Sequence, residues 1–219
     1  MTRETLEFDV QFVGAGPAGL AGAIHLANLI ARHEQGIAAG APGRSLGEVS
    51  IAVLEKASRV GAHGFSGAVL DPRALRELIP DFREQGCPIE SEVTGDDVYL
   101  LWETGQLRLP LVPPMLDNHG NLVISLGNFV GWLAGIAEAK GVFVVTDTPA
   151  ASPLVENGRV AGVRTGDKGV NRSGEHKPNF QPGADCRARA TVLCEGPRGT
   201  IGKVLETQLG LTVGRNAQV

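Results

Sequence analysis

Cysteine is scarce in this chain. Cys87, Cys186 and Cys194 are its three; no pair has C-x-x-C spacing, and so scattered a set supplies no disulfide framework, zinc site or iron–sulfur cluster. They read as reduced residues in or near the core. A clustered excess of Lys and Arg is also missing. With 20 basic residues against 24 acidic ones the net charge is -4, which excludes a surface built to bind nucleic acid, since phosphate contacts need such clusters. No segment reaches the roughly 18 consecutive apolar residues of a membrane span, and the residues after Met1 lack the charged-then-apolar pattern of a signal peptide. The first strand begins only a few residues in, leaving no room for a transit peptide, so the expected location is the cytoplasm.

Glycine is abundant: 30 of 219 residues, with 42% hydrophobic and 20% charged. This composition suits a globular α/β protein with many tight turns, long enough for one large or two modest domains. The glycines are organised around Asp9–Gly19, an apolar run ending in the G-x-G-x-x-G pattern of Gly14, Gly16 and Gly19. Gly14 turns the chain out of a strand, Gly16 admits close backbone approach to a diphosphate, and Gly19 lets a helix pack on the strand. The N-terminus of that helix presents free N–H groups and a positive dipole end to the anion. Ala15, Pro17 and Ala18 complete the cradle.

Taken in order, residues 8–13 form a buried parallel strand, and a helix begins at Pro17 with Leu20, Ile24, Ala27 and Ala31 on one face. His25 lies within it and His33 just past its end, neither as a ligand. The stretch Gly36–Gly47 has loop composition. Strand 49–54 follows and ends on Glu55, whose carboxylate can accept hydrogen bonds from both ribose hydroxyls and would repel a 2′-phosphate. The spacing from the glycines exceeds the usual ~20 residues, and the loop accounts for the excess. Residues 61–68 are too glycine-rich for helix or strand; they read as a loop able to run along a flat ring system, with His63 more often a hydrogen-bonding or exposed residue than a proton donor. Asp71 reads as an N-cap with Pro72 at the first helical position. A hairpin is expected over 98–109, and the turn Asn118–Asn121 leads to strand 122–125. A helix capped by Asn128 ends at Gly141, strand 142–145 follows, and Asn157-Gly158 joins a second hairpin. Residues 165–184 read as an exposed loop. Strand 190–194 ends on Glu195-Gly196, with a helix starting at Pro197. This acid and glycine beside a helix start are either a second backbone approach to the same ligand or a strand end with a solvated acid.

The fingerprint, V-L-E-K at 53–56 and the acid–glycine strand end together resemble the FAD-binding fold of the flavoprotein monooxygenase and reductase superfamily, with Glu195 where that superfamily has Asp. More specifically, V-L-E-K-x-x-x-V-G-A-H-x-x-S-G-A-x-L-D-P, the N-H-G-N turn with S-L-G-N-F-V-x-W-L, and C-E-G-P-R-G are similar to the electron transfer flavoprotein–ubiquinone oxidoreductase family across nearly the whole chain. The resemblance implies an α/β, Rossmann-like FAD-binding domain at 1–75 and 126–200, and parts of an inserted α+β quinone or substrate domain at 76–125 and 201–219. It implies FAD held by Gly14, Ala15, Gly16, Pro17, Ala18, Gly19, Glu55, Lys56, Gly61, Ala62, Ser66, Gly67, Glu195 and Gly196. The implied activity takes electrons from reduced electron transfer flavoprotein to ubiquinone at a membrane surface, peripheral on its inner face. The protein tunes the flavin and no side chain is assigned as catalytic. A four-iron cluster belongs to the full-length family; its ligands, with much of the quinone and membrane surface, are expected outside these residues, so the chain reads as an N-terminal fragment. Other expectations are an FAD-dependent monooxygenase or prenyl-lipid reductase, and an inactive flavin-binding fragment.

Overall fold

A computed structural model of the chain describes residues 3–64, 66–171, 173–212 and 214. In chain order they form β1 (Thr5–Val13), α1 (Pro17–Ala38), β2 (Ile51–Leu54), β3 (Ser66–Leu70), α2 (Arg73–Leu78), β4 (Ile89–Glu92), β5 (Tyr99–Trp102), β6 (Gly105–Arg108), a 3-10 turn at Pro114–Leu116, β7 (Leu122–Ser125), α3 (Leu126–Ala139), β8 (Phe143–Val145), β9 (Ala150–Glu156), β10 (Arg159–Thr165), β11 (Lys168–Val170), β12 (His176–Gln181), β13 (Asp185–Leu193) and α4 (Ile201–Gln208). They divide into two units, one of Met1–Ala62 with Leu133–Val219, the other of His63–Trp132.

The first unit contains a six-stranded sheet in the order β8-β2-β1-β13-β10-β9. The strands β8, β2, β1 and β13 run parallel, whereas β10 and β9 are antiparallel. A parallel pair needs a crossover between its strands, and α1 supplies it from β1 to β2. Strand β2 reads Ile-Ala-Val-Leu without alternation because it is buried along its whole length, as parallel strands covered on both faces are. On one face α1 buries Leu20, Ala23 and Ile24 completely, and Gly22 lies so near Phe12 that a Cβ there would come within 2.7 Å of the ring. Another cluster joins Val13 and Leu54 to Val163, Cys186, Ile201 and Leu205. Each buried Leu, Ile or Val of this kind contributes about 1.5–3 kcal/mol over an exposed one. Helix α4, expected on the substrate side, therefore packs into the first unit's core.

The second unit is a three-stranded antiparallel sheet, β3-β7-β4, with the two-stranded hairpin β5-β6. Leu122 and Ile124 point alternately into its core, and β7 shows the pattern of a half-buried strand. In the N-H-G-N turn, Asp96 accepts hydrogen bonds from the Asn118 backbone N–H (2.7 Å) and from its side-chain amide (2.9 Å), and the His119 ring bonds to the Thr94 carbonyl. The hairpin presents apolar side chains outward.

Several sequence expectations are corrected. Helix α1 continues to Ala38 and includes His33; Gly36 does not stop it. Termination comes at Gly40, with φ of 90°, where the Ala41 N–H reaches back to the Gly36 carbonyl, the bond of a Schellman end. Strand β3 begins at Ser66, within the stretch read as loop, because backbone pairing with β7 tolerates its glycine through a register irregularity. Pro72, not Asp71, is the N-cap of α2, although the Asp71 carboxylate still accepts the Arg73 N–H at 3.0 Å. Helix α3 starts at Leu126, ahead of Asn128, and α4 at Ile201, beyond Pro197. Residues 165–184 contain the ribbon β11-β12, where His176 stacks on Phe180 with ring centroids 3.4 Å apart; an exposed ribbon carries no core-facing alternation for the sequence to display.

Candidate dinucleotide site

The four parallel strands end in line. Val13 pairs with Leu54 of β2 and Leu193 of β13, and Leu54 pairs with Val145 of β8. The ladder runs one residue further at each end: Gly14 N–H to Leu54 carbonyl, Cys194 N–H to Val13 carbonyl and Glu55 N–H to Val145 carbonyl, each 2.8 Å. Gly14, Glu55 and Cys194 thus leave the sheet side by side at its carboxyl edge, where ligands bind in open α/β folds.

The three fingerprint glycines have distinct local reasons. Gly14 has φ of 109°, and a Cβ on it would stand 2.4 Å from the Cys194 carbonyl oxygen. At Gly19 a Cβ would meet the Gly14 carbonyl oxygen at 2.0 Å, so strand turn and helix are in backbone contact. At Gly16 a Cβ would meet nothing within 4 Å. Gly16 is the N-cap of α1 with no side-chain cap, and Pro17 follows. The first turn therefore presents N–H groups without intrahelical partners to open space, beside the positive end of a 22-residue helix. A side chain at Gly16 would enter this open space.

Glu55 is tied to the same turn. Its carboxylate accepts the Ala15 N–H at 3.1 Å and the Ala57 N–H at 2.8 Å. Each oxygen keeps further lone pairs for hydroxyl donors. Lys56 is exposed beside it.

Glu195 comes next along the chain after Cys194. It stands at the same edge, but its carboxylate accepts the N–H groups of Thr200, Ile201 and Gly202, each at 3.0 Å. It caps the N-terminus of α4, placing an acid where the helix dipole favours one. Gly196, at φ of 75°, turns the chain between strand and cap. A shallow cavity of about 270 Å³ adjoins it, lined by Glu195, Gly196, Pro197 and Lys203 among others. Cys194 packs behind Gly19 and burial pushes its thiol up.

Gly61, with φ of 82°, and Ala62 close a turn in the first unit, Ala62 N–H donating to the Arg59 carbonyl. Ser66 and Gly67 open β3 in the second unit. His63, His119 and His176 are exposed. The sequence reading missed the segment after β8: Asp147 N–H donates to the Ala57 carbonyl at 2.7 Å and Thr148 N–H to the Glu55 carbonyl at 2.8 Å. Asp-Thr-Pro at 147–149 is a turn signal that could have marked it. A larger cavity of about 740 Å³, lined by Glu7, Asp9, Ser50, Arg159, Arg187 and others, is lined by none of the fingerprint residues.

No protein-family model matches the chain. It is 45% identical over 223 residues to an electron transfer flavoprotein-ubiquinone oxidoreductase of Pseudomonas aeruginosa, covering all of this chain and 38% of that one. Among solved structures it is similar to a geranylgeranyl bacteriochlorophyll reductase-like protein from Thermoplasma acidophilum (TM-score 0.59, 23% identity, 96% of this chain and 42% of that chain). It is also similar to a myxobacterial chondrochloren halogenase of the FAD-dependent kind (TM-score 0.56, 20% identity, 90% and 39%). These likenesses establish the α/β fold, and the whole-length identity to the first relative establishes the kinship. Spanning little more than a third of the curated relative's length, the chain is a homologue of the electron transfer flavoprotein–ubiquinone oxidoreductase family.

Proposed function

We propose that this chain binds FAD at the carboxyl edge of its parallel sheet, as the flavin-binding part of an oxidoreductase that takes electrons from reduced electron transfer flavoprotein and passes them to ubiquinone. The observation that carries the reading is the in-register ending of β1, β2 and β13, which brings Gly14, Glu55 and Cys194-Glu195 to one edge. Gly14, Ala15, Gly16, Pro17, Ala18 and Gly19 hold the diphosphate through backbone N–H groups and the dipole of α1. Glu55 accepts the adenosine ribose hydroxyls, flanked by Lys56. Gly61, Ala62, Ser66 and Gly67 run along the flavin ring, and Glu195-Gly196 fixes the backbone turn at the second strand end. When bound, FAD supplies reversible uptake and release of electrons. The chain's own residues bind and orient it, and none is assigned a catalytic role.

Exposed apolar side chains of the second unit, Leu101, Leu111 and Met115 at 75%, 80% and 83% exposure, support the quinone and membrane contact of this reading. Among the described residues no helix is long and apolar enough to cross a membrane; the contact proposed is peripheral, on the inner face. For the four-iron cluster that the resemblance implies, the described residues hold no group of three or more His, Cys, Asp or Glu side chains able to bind a metal ion. In this reading the cluster belongs to the part of the relatives that the chain does not span.

Anaerobic mixing of the FAD-loaded chain with reduced electron transfer flavoprotein tests the proposal. The visible band of oxidised flavin on the chain is expected to bleach, with no ubiquinone reduced by this chain alone. A flavin that stays oxidised with this donor but is promptly reduced by NAD(P)H in the presence of an aromatic substrate would move the assignment to a monooxygenase.

A further inference from the structure

We infer that Asp147 is a positioning residue for Glu55, setting the adenosine-ribose end of the site from outside it; the inference rests on the FAD reading above. Asp147 is one of two described non-glycine residues with positive φ, at 53°. The other, Asn157, sits in an N-G hairpin turn that explains it. Asp147 follows the last residues of β8, where no hairpin demands a left-handed conformation. What the conformation achieves is a wrap. Val145 accepts the Glu55 N–H, then the chain reverses so that Asp147 N–H reaches the Ala57 carbonyl and Thr148 N–H the Glu55 carbonyl. Three backbone hydrogen bonds thereby hold residues 55–57 in the geometry that aims the Glu55 carboxylate at the Ala15 and Ala57 N–H groups. The Thr148 hydroxyl donates to the Thr146 carbonyl at 2.9 Å and tightens the bend.

The side chain of Asp147 points elsewhere, to Lys168 Nζ of β11 at 2.6 Å. Both partners of that ion pair are well exposed, 45% for Lys168 and 62% for Asp147, so it contributes little. The contribution of Asp147 lies in its backbone: Asp and Asn adopt the left-handed region far more readily than Ala. Held strain of this kind is found where surrounding structure enforces a functional geometry.

The test separates backbone from charge, with ADP and 2′-deoxyadenosine diphosphate as probes, each titrated by displacement of bound FAD. The unaltered chain is expected to prefer ADP, because Glu55 accepts from the 2′-hydroxyl. Asp147→Ala should bind ADP about tenfold more weakly and lose the preference over the deoxy analogue. Asp147→Gly, which adopts positive φ freely, should keep affinity and preference while lowering the melting temperature through its looser unfolded chain. Lys168→Met should keep all three. A merely structural role would move stability with no change in the ADP preference. If D147A were to unfold, D147G and Asp147→Asn still decide: loss of the preference in both overturns the inference, as does a folded D147A that retains it. Failure of the unaltered chain to bind FAD at all overturns the parent reading, whereas FAD binding with an unchanged D147A overturns this inference alone.

Discussion

Replacing Gly16 and Gly19 by Ala should separate ligand space from packing space within a single motif. At Gly19 the new Cβ would lie 2.0 Å from the Gly14 carbonyl oxygen, 3.2 Å from its carbon and 3.3 Å from Cys194 Cβ. The nearest neighbour is backbone and cannot rotate away, so the turn must open; such overpacking costs about 1–3 kcal/mol. For a chain of this size that lowers Tm by about 2–12 °C. At Gly16 the backbone is already in a region open to Ala, with φ of -78° and ψ of -179°, and the Cβ would meet nothing within 4 Å. The small loss of a glycine N-cap is offset by a stiffer unfolded chain, leaving stability within about 0.5 kcal/mol of the parent. In the proposed site the methyl instead enters the space through which the diphosphate would approach the backbone, and FAD affinity should fall by tenfold or more, about 1.4 kcal/mol at least. Thermal unfolding followed by circular dichroism and FAD titration by fluorescence quenching read the two effects. G16A as unstable as G19A, or binding FAD as tightly as the parent, would refute the assignment of this cradle.

Glu195→Ala strips the cap from three N–H groups of α4 and should cost about 1–2 kcal/mol, with faster hydrogen exchange at Ile201–Leu205; unchanged protection there would show that the cap is not what holds the helix. The hydrogen bond from Arg164 holds the Asp185 carboxyl below its ordinary 3.8, with the charges of Arg164 and Arg3 adding to it. Because the folded value is the lower one, the pair stabilises fully above pH ~3.8 and its contribution is lost as pH falls through the folded value. Asp185→Asn should therefore lose stability at pH 7 and show a shallower decline into acid in urea midpoints, and a slope equal to the parent's would contradict the pairing. Burial drives the Cys186 thiol up to about 11, with Asp185 and Glu4 adding to it. In native protein at pH 8 it should resist a thiol reagent that labels it readily in urea; mass spectrometry showing prompt native labelling would contradict its place in the core.

The geometry of the candidate site was legible wherever the backbone forces a residue type. Gly14 and Gly19 are dictated by backbone approaches that no side chain permits, and Glu55 by its place at the end of a buried strand, so the fingerprint and the acid could be read directly. The parallel order of β1 and β2 followed from the helix between them. What the sequence concealed were features enforced by partners distant along the chain. Glu195 reads either as part of a ligand approach or as a solvated strand-end acid, and that α4 begins at Ile201 with its first N–H groups on the Glu195 carboxylate is in neither reading. The ribbon at 168–181 has no core to face, hence no periodicity, and its strands exist through pairing alone. Helix α1 runs on past His33, beyond its expected end, because an isolated glycine such as Gly36 inside a long helix is a tolerable cost of about 1 kcal/mol, and the true signal, a left-handed Gly40, is indistinguishable by residue type. Asp147 acts through its backbone, which residue type discloses least of all.

Direct titration of the purified chain with FAD, with ADP as competitor, bears most closely on the central claim. Saturable binding of a single FAD, displaced by ADP and lost in Gly16→Ala while that variant melts like its parent, is the predicted result. A folded chain that retains no FAD at saturating ligand, or one whose FAD is indifferent to ADP and to the Gly16 substitution, would contradict it.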